Sequence, residues 1–378
     1  MSVVWKNHRA LLIVGSLIAT FVVLAACVAP SAPAPAAPTA AAPVAAAPTA
    51  APVAASKPTE KPKVGMLWDT THAERRVRIA NLIQDRAKQD GWEPVFQSAN
   101  NDDKLQTTQA EAMISQGVKL LVISPVNMDT SSAIVKSAKE AGIPVIAFDR
   151  LIKSSTPDVF IGFDNDVIGD VIAKYAVEKV PKGNYALING DQADNNAVVY
   201  RDGFLRVLKP YIDKGDIKIV YDQYSAGWDG AVALKHAENA LTEQKNDIKA
   251  FLSQYDGLSN GIIEALKEQG LVGKVMVTGQ DAELPALQRI VAGEQNMTVW
   301  KSSEEMAKLG ADVIKMMLDG KTPPADRKLN NGTADIPAIL LPVTVVDKDN
   351  MMKTVIAAGA RTMDEVYANI PKDQWPKQ

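Results

Sequence analysis

The sequence has few of the residues that carry most metal and nucleophilic chemistry. Its 378 residues include one cysteine and three histidines. One cysteine excludes an internal disulfide and a cysteine-rich metal site. His72 and His236 have no partner at metal-ligand spacing, and the cysteine is not placed as a nucleophile. We therefore expect neither a metal ion nor a cofactor.

Phosphate-binding loops and strong positive charge are also lacking. The chain contains no G-x-x-x-x-G-K-[ST] and no G-x-G-x-x-G sequence, the two patterns that cradle phosphates. Its formal net charge is −3 at pH 7, and removal of Lys6 and Arg9 with the first 27 residues would make it about −5. Without a basic run, the chain is not expected to bind nucleic acid.

The first 27 residues have the pattern of a secretory leader. Lys6 and Arg9 precede an apolar run that is too short to span a bilayer comfortably, and the leader closes on Leu24–Cys27. Small residues followed by cysteine form the lipobox of bacterial lipoproteins, which predicts a lipid anchor on Cys27 and a location outside the cytoplasm. An ordinary signal peptide with an incidental cysteine, or a short membrane anchor, is the alternative interpretation.

Residues 28–60 consist almost entirely of Ala, Pro, Val and Thr, with no aromatic residue. Such a segment has nothing to bury, and its prolines fix many φ angles. It is therefore predicted to be a disordered, extended tether between the anchor and the folded body.

From Lys63 onward, short apolar runs alternate with amphipathic stretches of helical length, which is typical of βαβ units. The predicted strands are Val64–Trp68, Pro94–Gln97, Leu120–Ser124, Val145–Phe148, Val159–Gly162, Tyr185–Asn189, Ile217–Tyr221, Ala250–Ser253, Val275–Thr278 and Met297–Trp300. About ten strands favour two doubly wound parallel-sheet lobes over one. We expect the chain to change lobe near Phe163–Asp164 and to return near Lys301–Ser302.

Helices are predicted between these strands. Four glycines follow predicted helices where a left-handed backbone favours glycine, namely Gly117, Gly142, Gly270 and Gly293. They are expected to end those helices.

Ligands of open α/β sheets bind beyond the carboxyl ends of the strands, so the residues that follow each strand are site candidates. These are mostly polar or aromatic: Trp68, Asp69, Asn127, Asp149, Arg150, Asp164, Asp194, Asn196, Trp228, Tyr255, Gln280, Asp281 and Lys301, with Arg75 and Arg76 early in the first helix. A helix N-cap is an equally good interpretation for four of them: Asp69, Asn127, Asp164 and Asp194. Four others, namely Arg75, Arg150, Trp228 and Lys301, are poor caps, and they favour a site.

Carboxylates, amides and guanidinium groups around an aromatic ring suit a sugar. Each hydroxyl donates and accepts a hydrogen bond, so an aspartate can accept from one hydroxyl while Arg, Lys or Asn donates to its neighbour. The apolar C–H face of the sugar can stack on an indole such as that of Trp228. Spacing alone leaves a pair of carboxylates for glycoside hydrolysis open, so a surface glycosidase is an alternative.

The chain resembles periplasmic D-xylose-binding proteins and the related multiple-monosaccharide-binding proteins of sugar ABC transporters. The likeness extends from Lys63 to the C-terminus. Its matching segments are Gln97–Asn100, Phe148–Arg150, Phe163–Asn165, Asp194–Ala197, Gly227–Trp228, Gly279–Ala282 and Met297–Lys301. The resemblance implies a type I periplasmic binding protein fold with three crossings between lobes. The first lobe would hold residues 61–163 and about 302–335, the second 164–301 and about 336–378.

The resemblance also implies which residues contact the sugar: Arg75, Asp149, Arg150, Asn196, Trp228, Asp281 and Lys301. Arg76 stands where the xylose binders have a stacking tryptophan, so two alternatives are open: that aromatic face is missing, or Trp68 supplies it. Tyr255 stands where they have an asparagine, and the run from Tyr255 to Ser259 is similar to the multiple-sugar relatives.

The implied function is capture of a monosaccharide, with D-xylose or a related aldopyranose expected, and its delivery to an ABC permease by a monomeric, lipid-anchored protein. A sensor that passes the sugar signal to a chemoreceptor or sensor kinase is an alternative. Sugar-responsive transcriptional repressors share the fold, but they would need a helix-turn-helix where this chain has its tether.

Overall fold

The structure, a computed structural model, describes residues 60–376. The predicted leader, Cys27 and the tether up to residue 59 lie outside the described residues. The strands are β1 (Lys63–Trp68), β2 (Glu93–Ser98), β3 (Leu120–Ile123), β4 (Val145–Phe148), β5 (Val159–Phe163), β6 (Gly183–Asn189), β7 (Ile217–Tyr224), β8 (Ala250–Ser253), β9 (Met276–Val277), β10 (Met297–Trp300), β11 (Arg327–Asn330), β12 (Asp335–Leu341) and β13 (Thr344–Asp347). A strand is present at every position that the sequence predicts.

The helices alternate with these strands. They are α1 (Glu74–Asp90), α2 (Asp103–Ser115), α3 (Ser132–Glu140), α4 (Asn165–Lys179), α5 (Asn195–Asp213), α6 (Gly230–Glu243), α7 (Asp256–Glu268), α8 (Leu284–Ala292), α9 (Ser303–Leu318) and α10 (Met363–Val366). The four glycines predicted to end helices have φ between 64° and 81°, which confirms that prediction. Among residues 60–376, no helix has the length and apolar character needed to cross a membrane.

Two separate sheets define two lobes. The sheet of the first lobe has the order β11-β12-β5-β4-β3-β1-β2, and all its pairs are parallel except β11 with β12. The second lobe has the parallel order β7-β6-β8-β9. A parallel bridge between Gln280 and Val299 extends it to the antiparallel pair of β10 and β13. This arrangement confirms the predicted fold class.

The chain crosses between the lobes three times. It leaves the first sheet after Phe163 and returns with α9, which packs against α1. The boundary predicted after residue 335 is wrong, because β12 pairs in parallel with β5 and so belongs to the first sheet. The third crossing therefore follows Leu341.

Apolar side chains cover both faces of the first sheet. Phe148 and Met66 face α1 and α9, while Leu121 and Ile123 face α2 and α3. In the second lobe, α4 and α5 cross at Gly169 and Gly203, where a Cβ on Gly203 would lie 2.9 Å from the Gly169 Cα. This packing fixes the strands within each lobe, and the carboxyl ends of both sheets border one cleft.

Candidate sugar-binding site

A cavity of about 430 Å³ lies between the two lobes, beyond the carboxyl ends of their strands. Its volume is within the range of small-molecule sites. Of the ten residues named for contact with the sugar, nine line it: Arg75, Arg76, Asp149, Arg150, Asn196, Trp228, Tyr255, Asp281 and Lys301. Residues from both sheets thus meet in one place, as the strand-end rule requires.

Trp68 does not line this cavity, which corrects the expectation that it supplies an aromatic face. Its side chain is 2% exposed and belongs to the core under α1. The indole stacks on Phe148 with ring centroids 5.1 Å apart. The last residue of β1 therefore points into the core of the first lobe.

The four residues with two interpretations divide as follows. Asp194 does both, since it caps α5 by accepting from the Asn196 amide and also lines the cavity. Asp69 lines the cavity and is fully buried. Asn127 and Asp164 do not line the cavity. The Asn127 side chain accepts from the backbone of residues 129 and 130, and Asp164 pairs with Arg327.

Several residues that line the cavity are not predicted for the site by any sequence pattern. His72 and Asn101 lie in loops, and Tyr200 lies inside α5, where its hydroxyl donates to the Asn165 side chain at 2.9 Å. None of the three directly follows a strand, so the strand-end rule does not predict that they belong to the site.

Eight charged residues form an unbroken chain of alternating sign along the cavity, which we call the ion-pair chain. Its links are Asp194–Arg150 (2.7 Å), Arg150–Asp69 (2.9 Å), Asp69–Arg76 (3.0 Å), Arg76–Asp149 (2.8 Å), Asp149–Arg75 (2.7 Å), Arg75–Asp281 (3.4 Å) and Asp281–Lys301 (3.0 Å). All eight side chains are at most 9% exposed. Four cations and four anions balance, so the buried charge has no net sign, which limits its desolvation cost.

The ion-pair chain keeps two central carboxylates ionised. Burial alone would raise the pKa of Asp149, but Arg75, Arg76 and Lys301 outweigh it and hold that pKa well below its usual value. Burial opposes ionisation of Asp281 in the same way, and Lys301 and Arg75 lower its pKa. Both carboxylates are therefore hydrogen-bond acceptors at neutral pH.

The backbone is strained at four cavity residues. Asn101, Asp149, Trp228 and Asp281 have φ of 64°, 64°, 55° and 94°, a region that residues other than glycine seldom occupy. The amide of Asp149 donates to Ile161 and that of Asp281 donates to Val299, both at 2.8 Å. Strained residues held in this way cluster at functional sites, because the strain fixes the direction of the side chain.

Trp228 forms an aromatic wall of the cavity. It lies on the short turn Ala226–Trp228 directly after β7. The ring of Tyr255 meets its indole edge-on, with centroids 6.2 Å apart and an angle of 86°. The guanidinium carbon of Arg150 lies 6.0 Å from the indole centroid. The wall therefore combines an apolar face with polar neighbours.

Seven buried polar atoms of the lining residues have no hydrogen-bond partner among the described residues, and four of them belong to links of the ion-pair chain. The remaining three are Arg75 Nη1, Trp228 Nε1 and Gln280 Oε1. Two are donors and one is an acceptor. Since unpaired buried polar groups cost free energy, a ligand that both donates and accepts would stabilise this site. Within residues 60–376, no three His, Cys, Asp or Glu side chains are grouped to hold a metal ion.

Several contacts join the lobes beside the cavity. The Asn196 side-chain amide donates to the Asp149 carbonyl at 3.0 Å, and the Met128 amide donates to the Ala193 carbonyl at 2.8 Å. Two links of the ion-pair chain also cross the cleft, Arg150–Asp194 and Arg75–Asp281. The lobes are therefore closed around the cavity.

Comparison with known proteins identifies a family with this architecture. Residues 64–322 match the family model described as a periplasmic binding protein domain. The chain is 43% identical over 304 residues to the D-xylose-binding periplasmic protein of Escherichia coli, covering 80% of this chain and 92% of that protein. It is 35% identical over 335 residues to a multiple sugar-binding periplasmic receptor of Rhizobium radiobacter, covering 83% and 95% respectively.

Solved structures give the same result. An ABC transporter solute binding protein from Clostridium phytofermentans with bound β-D-glucose superposes with a TM-score of 0.74 at 29% identity, covering 80% of this chain and 99% of that one. A carbohydrate transporter solute binding protein from Chloroflexus aurantiacus in complex with D-glucose gives 0.75 at 27% identity, covering 81% and 98%.

Proposed function

The chain belongs to the periplasmic binding protein family, and we propose that it captures a monosaccharide outside the cytoplasm and delivers it to an ABC sugar permease. The expected ligand is D-xylose or a related aldopyranose. Two relatives named as D-xylose-binding proteins support that choice. They are 43% and 40% identical to this chain over at least 80% of its length.

One observation carries the proposal: ionised carboxylates alternate with cationic donors beside an indole wall in a cavity closed by both lobes. Sugar hydroxyls would donate to Asp149 and Asp281 and accept from Arg75, Arg150, Asn196 and Lys301. Each charged hydrogen bond contributes about 1.5–3 kcal/mol. Several together supply the roughly 8 kcal/mol of a micromolar complex.

The choice among pyranoses rests on Arg76 and Tyr255. Arg76 is 4% exposed and bound to two aspartates. It stands where the resemblance places a second stacking tryptophan in xylose binders, so we expect only Trp228 to stack on the sugar. A single stacking face fixes the ring less tightly. We therefore propose a preference for D-xylose with measurable affinity for other aldopyranoses.

We propose that the protein binds its sugar without converting it. Hydrolysis of a glycoside needs one protonated carboxyl as general acid, whereas Asp149 and Asp281 have lowered pKa values. Burial raises the pKa of Asp194, but its carboxylate is engaged by Arg150. The residues Gly257–Gly261 match the G-x-S-x-G pattern of nucleophilic serines, yet Ser259 is fully buried and its hydroxyl donates to the Thr278 carbonyl at 2.7 Å.

A lipid on Cys27 and the Ala/Pro-rich segment 28–60 would keep a monomeric binding protein near its permease. Metabolic labelling with a palmitate analogue tests this part of the proposal. We expect label on the wild-type chain and none on Cys27→Ser.

Isothermal titration of the protein with D-xylose, D-glucose, D-ribose and L-arabinose tests the binding function. We expect a dissociation constant of about 1 μM or lower for D-xylose and weaker binding of the others. Incubation with an aryl xyloside should release no product. Absence of heat with every aldopyranose would refute the proposed function, and release of the aryl group would refute the binding-only role.

A further inference from the structure

Glu74 spans the cleft outside the cavity. It is the first residue of α1 in the first lobe and the chain neighbour of Arg75, which lines the cavity. Its Oε2 accepts from the Leu284 amide at 3.2 Å, and its Oε1 pairs with Arg361. Leu284 and Arg361 both belong to the second lobe, so one side chain makes two contacts between the lobes.

The Leu284 amide needs an acceptor from elsewhere. Leu284 is the first residue of α8, where backbone amides lack partners within the helix. The amides of Ala286 and Leu287 donate to the Glu283 carbonyl, and Pro285 has no amide hydrogen. Glu283, the N-cap residue, provides no side-chain cap. The Leu284 amide is therefore the one that Glu74 satisfies from the opposite lobe.

Glu283 is occupied with another contact. Its Oε1 accepts from the Tyr255 hydroxyl at 2.6 Å, which holds the ring that meets Trp228. The cap of α8 and the aromatic wall thus use different carboxylates. A carboxylate at the positive end of a helix is also favoured by the helix dipole, so the position suits Glu74 on two counts.

Arg361 is held in place by its own lobe. Its side chain is 14% exposed, and its amide donates to the Val355 carbonyl. Val355 packs with Leu287 of α8 and Val366 of α10 in one apolar cluster. Arg361 and the start of α8 therefore form a rigid receptor for the Glu74 carboxylate.

We propose that Glu74 is a closure latch, a positioning residue that sets the sugar affinity without touching the sugar. Opening the cleft would break its contacts with Leu284 and Arg361 at once. Because ligand affinity depends on the free energy of the closed state relative to the open one, weakening the latch lowers affinity. This inference rests on the proposed function, since it assumes that sugar binds in the closed cleft.

The latch is tested with Glu74→Ala, Glu74→Gln and Arg361→Gln. Asp85→Ala is the matched control, because it removes a carboxylate from the same helix whose partner among residues 60–376 is Lys88 of that helix. Calorimetry with D-xylose should show about five- to tenfold weaker binding for Glu74→Ala. Glu74→Gln keeps an acceptor for Leu284 and should lose less. The double variant Glu74→Ala/Arg361→Gln should bind no more weakly than Glu74→Ala, because the contacts are shared.

Hydrogen–deuterium exchange gives a readout that a merely structural role would not change. The Leu284 amide should exchange faster in Glu74→Ala than in the wild type. The amides of α1 should exchange at the same rates in Asp85→Ala as in Glu74→Ala. This arm needs no ligand, so it separates the latch from the proposed function. If the wild type binds D-xylose and Glu74→Ala matches Asp85→Ala in affinity and in Leu284 exchange, the latch is refuted and the function stands. If no sugar binds, the function is refuted and unchanged exchange would refute the latch as well.

Discussion

Gly190 and Trp228 are in such close contact that a Cβ on Gly190 would lie 2.2 Å from the indole ring. Gly190 follows β6, and its amide donates to the Gln254 side chain at 2.8 Å. The absence of a side chain at this position lets the indole lie flat against the strand end. The position of the aromatic wall is therefore set by a glycine that does not itself line the cavity.

We expect Gly190→Ala to weaken D-xylose binding about tenfold or more, because the added methyl group must displace the indole from the sugar face. Calorimetry measures the loss. Gly142→Ala is the matched control, since its φ of 72° strains an alanine while its Cβ would meet no neighbour. The control should lose stability and keep its affinity. Equal affinity of Gly190→Ala and wild type would show that the indole does not contact the sugar.

Asp281→Ala should weaken sugar binding by at least about 1.5 kcal/mol, roughly tenfold, because it removes an ionised acceptor from the cavity. Asp213→Ala, which removes an exposed carboxylate on α5, should bind as the wild type does. Titration of both variants with D-xylose decides the point. An unchanged dissociation constant for Asp281→Ala would remove Asp281 from the site.

Arg76→Met should reduce the free energy of unfolding by about 3 kcal/mol or more, because it leaves the buried Asp69 and Asp149 each without one cation. Urea denaturation measures this loss. Lys209→Met breaks an exposed pair with Asp213 and should change stability by about 0.5 kcal/mol at most. If both variants unfold alike, the ion-pair chain is not a coupled buried network.

Stability should depend on pH through Glu283. Burial, with the nearby charges of Asp281 and Glu74, raises the pKa of Glu283 to about 7. Between about pH 4.5 and pH 7 the folded state keeps a proton that the unfolded state releases, so the free energy of unfolding falls as pH rises, by about 1.4 kcal/mol per unit.

Glu283→Gln has no such proton and keeps an acceptor for the Tyr255 hydroxyl. Its melting temperature should therefore exceed that of the wild type at pH 8 by more than at pH 5. Thermal unfolding at both values measures the difference. A constant difference between the two proteins across this range would show that Glu283 titrates at its ordinary pKa.

Much of the site follows from the sequence because parallel strands end at one edge. Asp149 after β4, Asp281 after β9 and Lys301 after β10 converge in the structure as that rule predicts. The rule does not say whether the last side chain of a strand points into the cavity or into the core. Trp68 is predicted to supply a face of the cavity, but its side chain lies in the core. The rule cannot predict Tyr200, because this residue lies in the interior of a helix.

The third crossing shows a second limit. β12 contains Pro337, which in a sequence counts against a strand because it cannot donate to a ladder. Its parallel partner β5 lies far earlier in the chain. Only the pairing of β12 with β5 in the structure assigns β12 to the first lobe. That pairing also shows where the third crossing begins.

The central claim is that a monosaccharide binds between the lobes against Trp228 and the ion-pair chain. A crystal structure of the protein grown with D-xylose tests it most directly. We expect density for one pyranose ring stacked on the Trp228 indole, with hydroxyl oxygens within about 3 Å of Asp149 and Asp281. A sugar bound elsewhere, or a cleft without sugar density at a saturating concentration, would contradict the account.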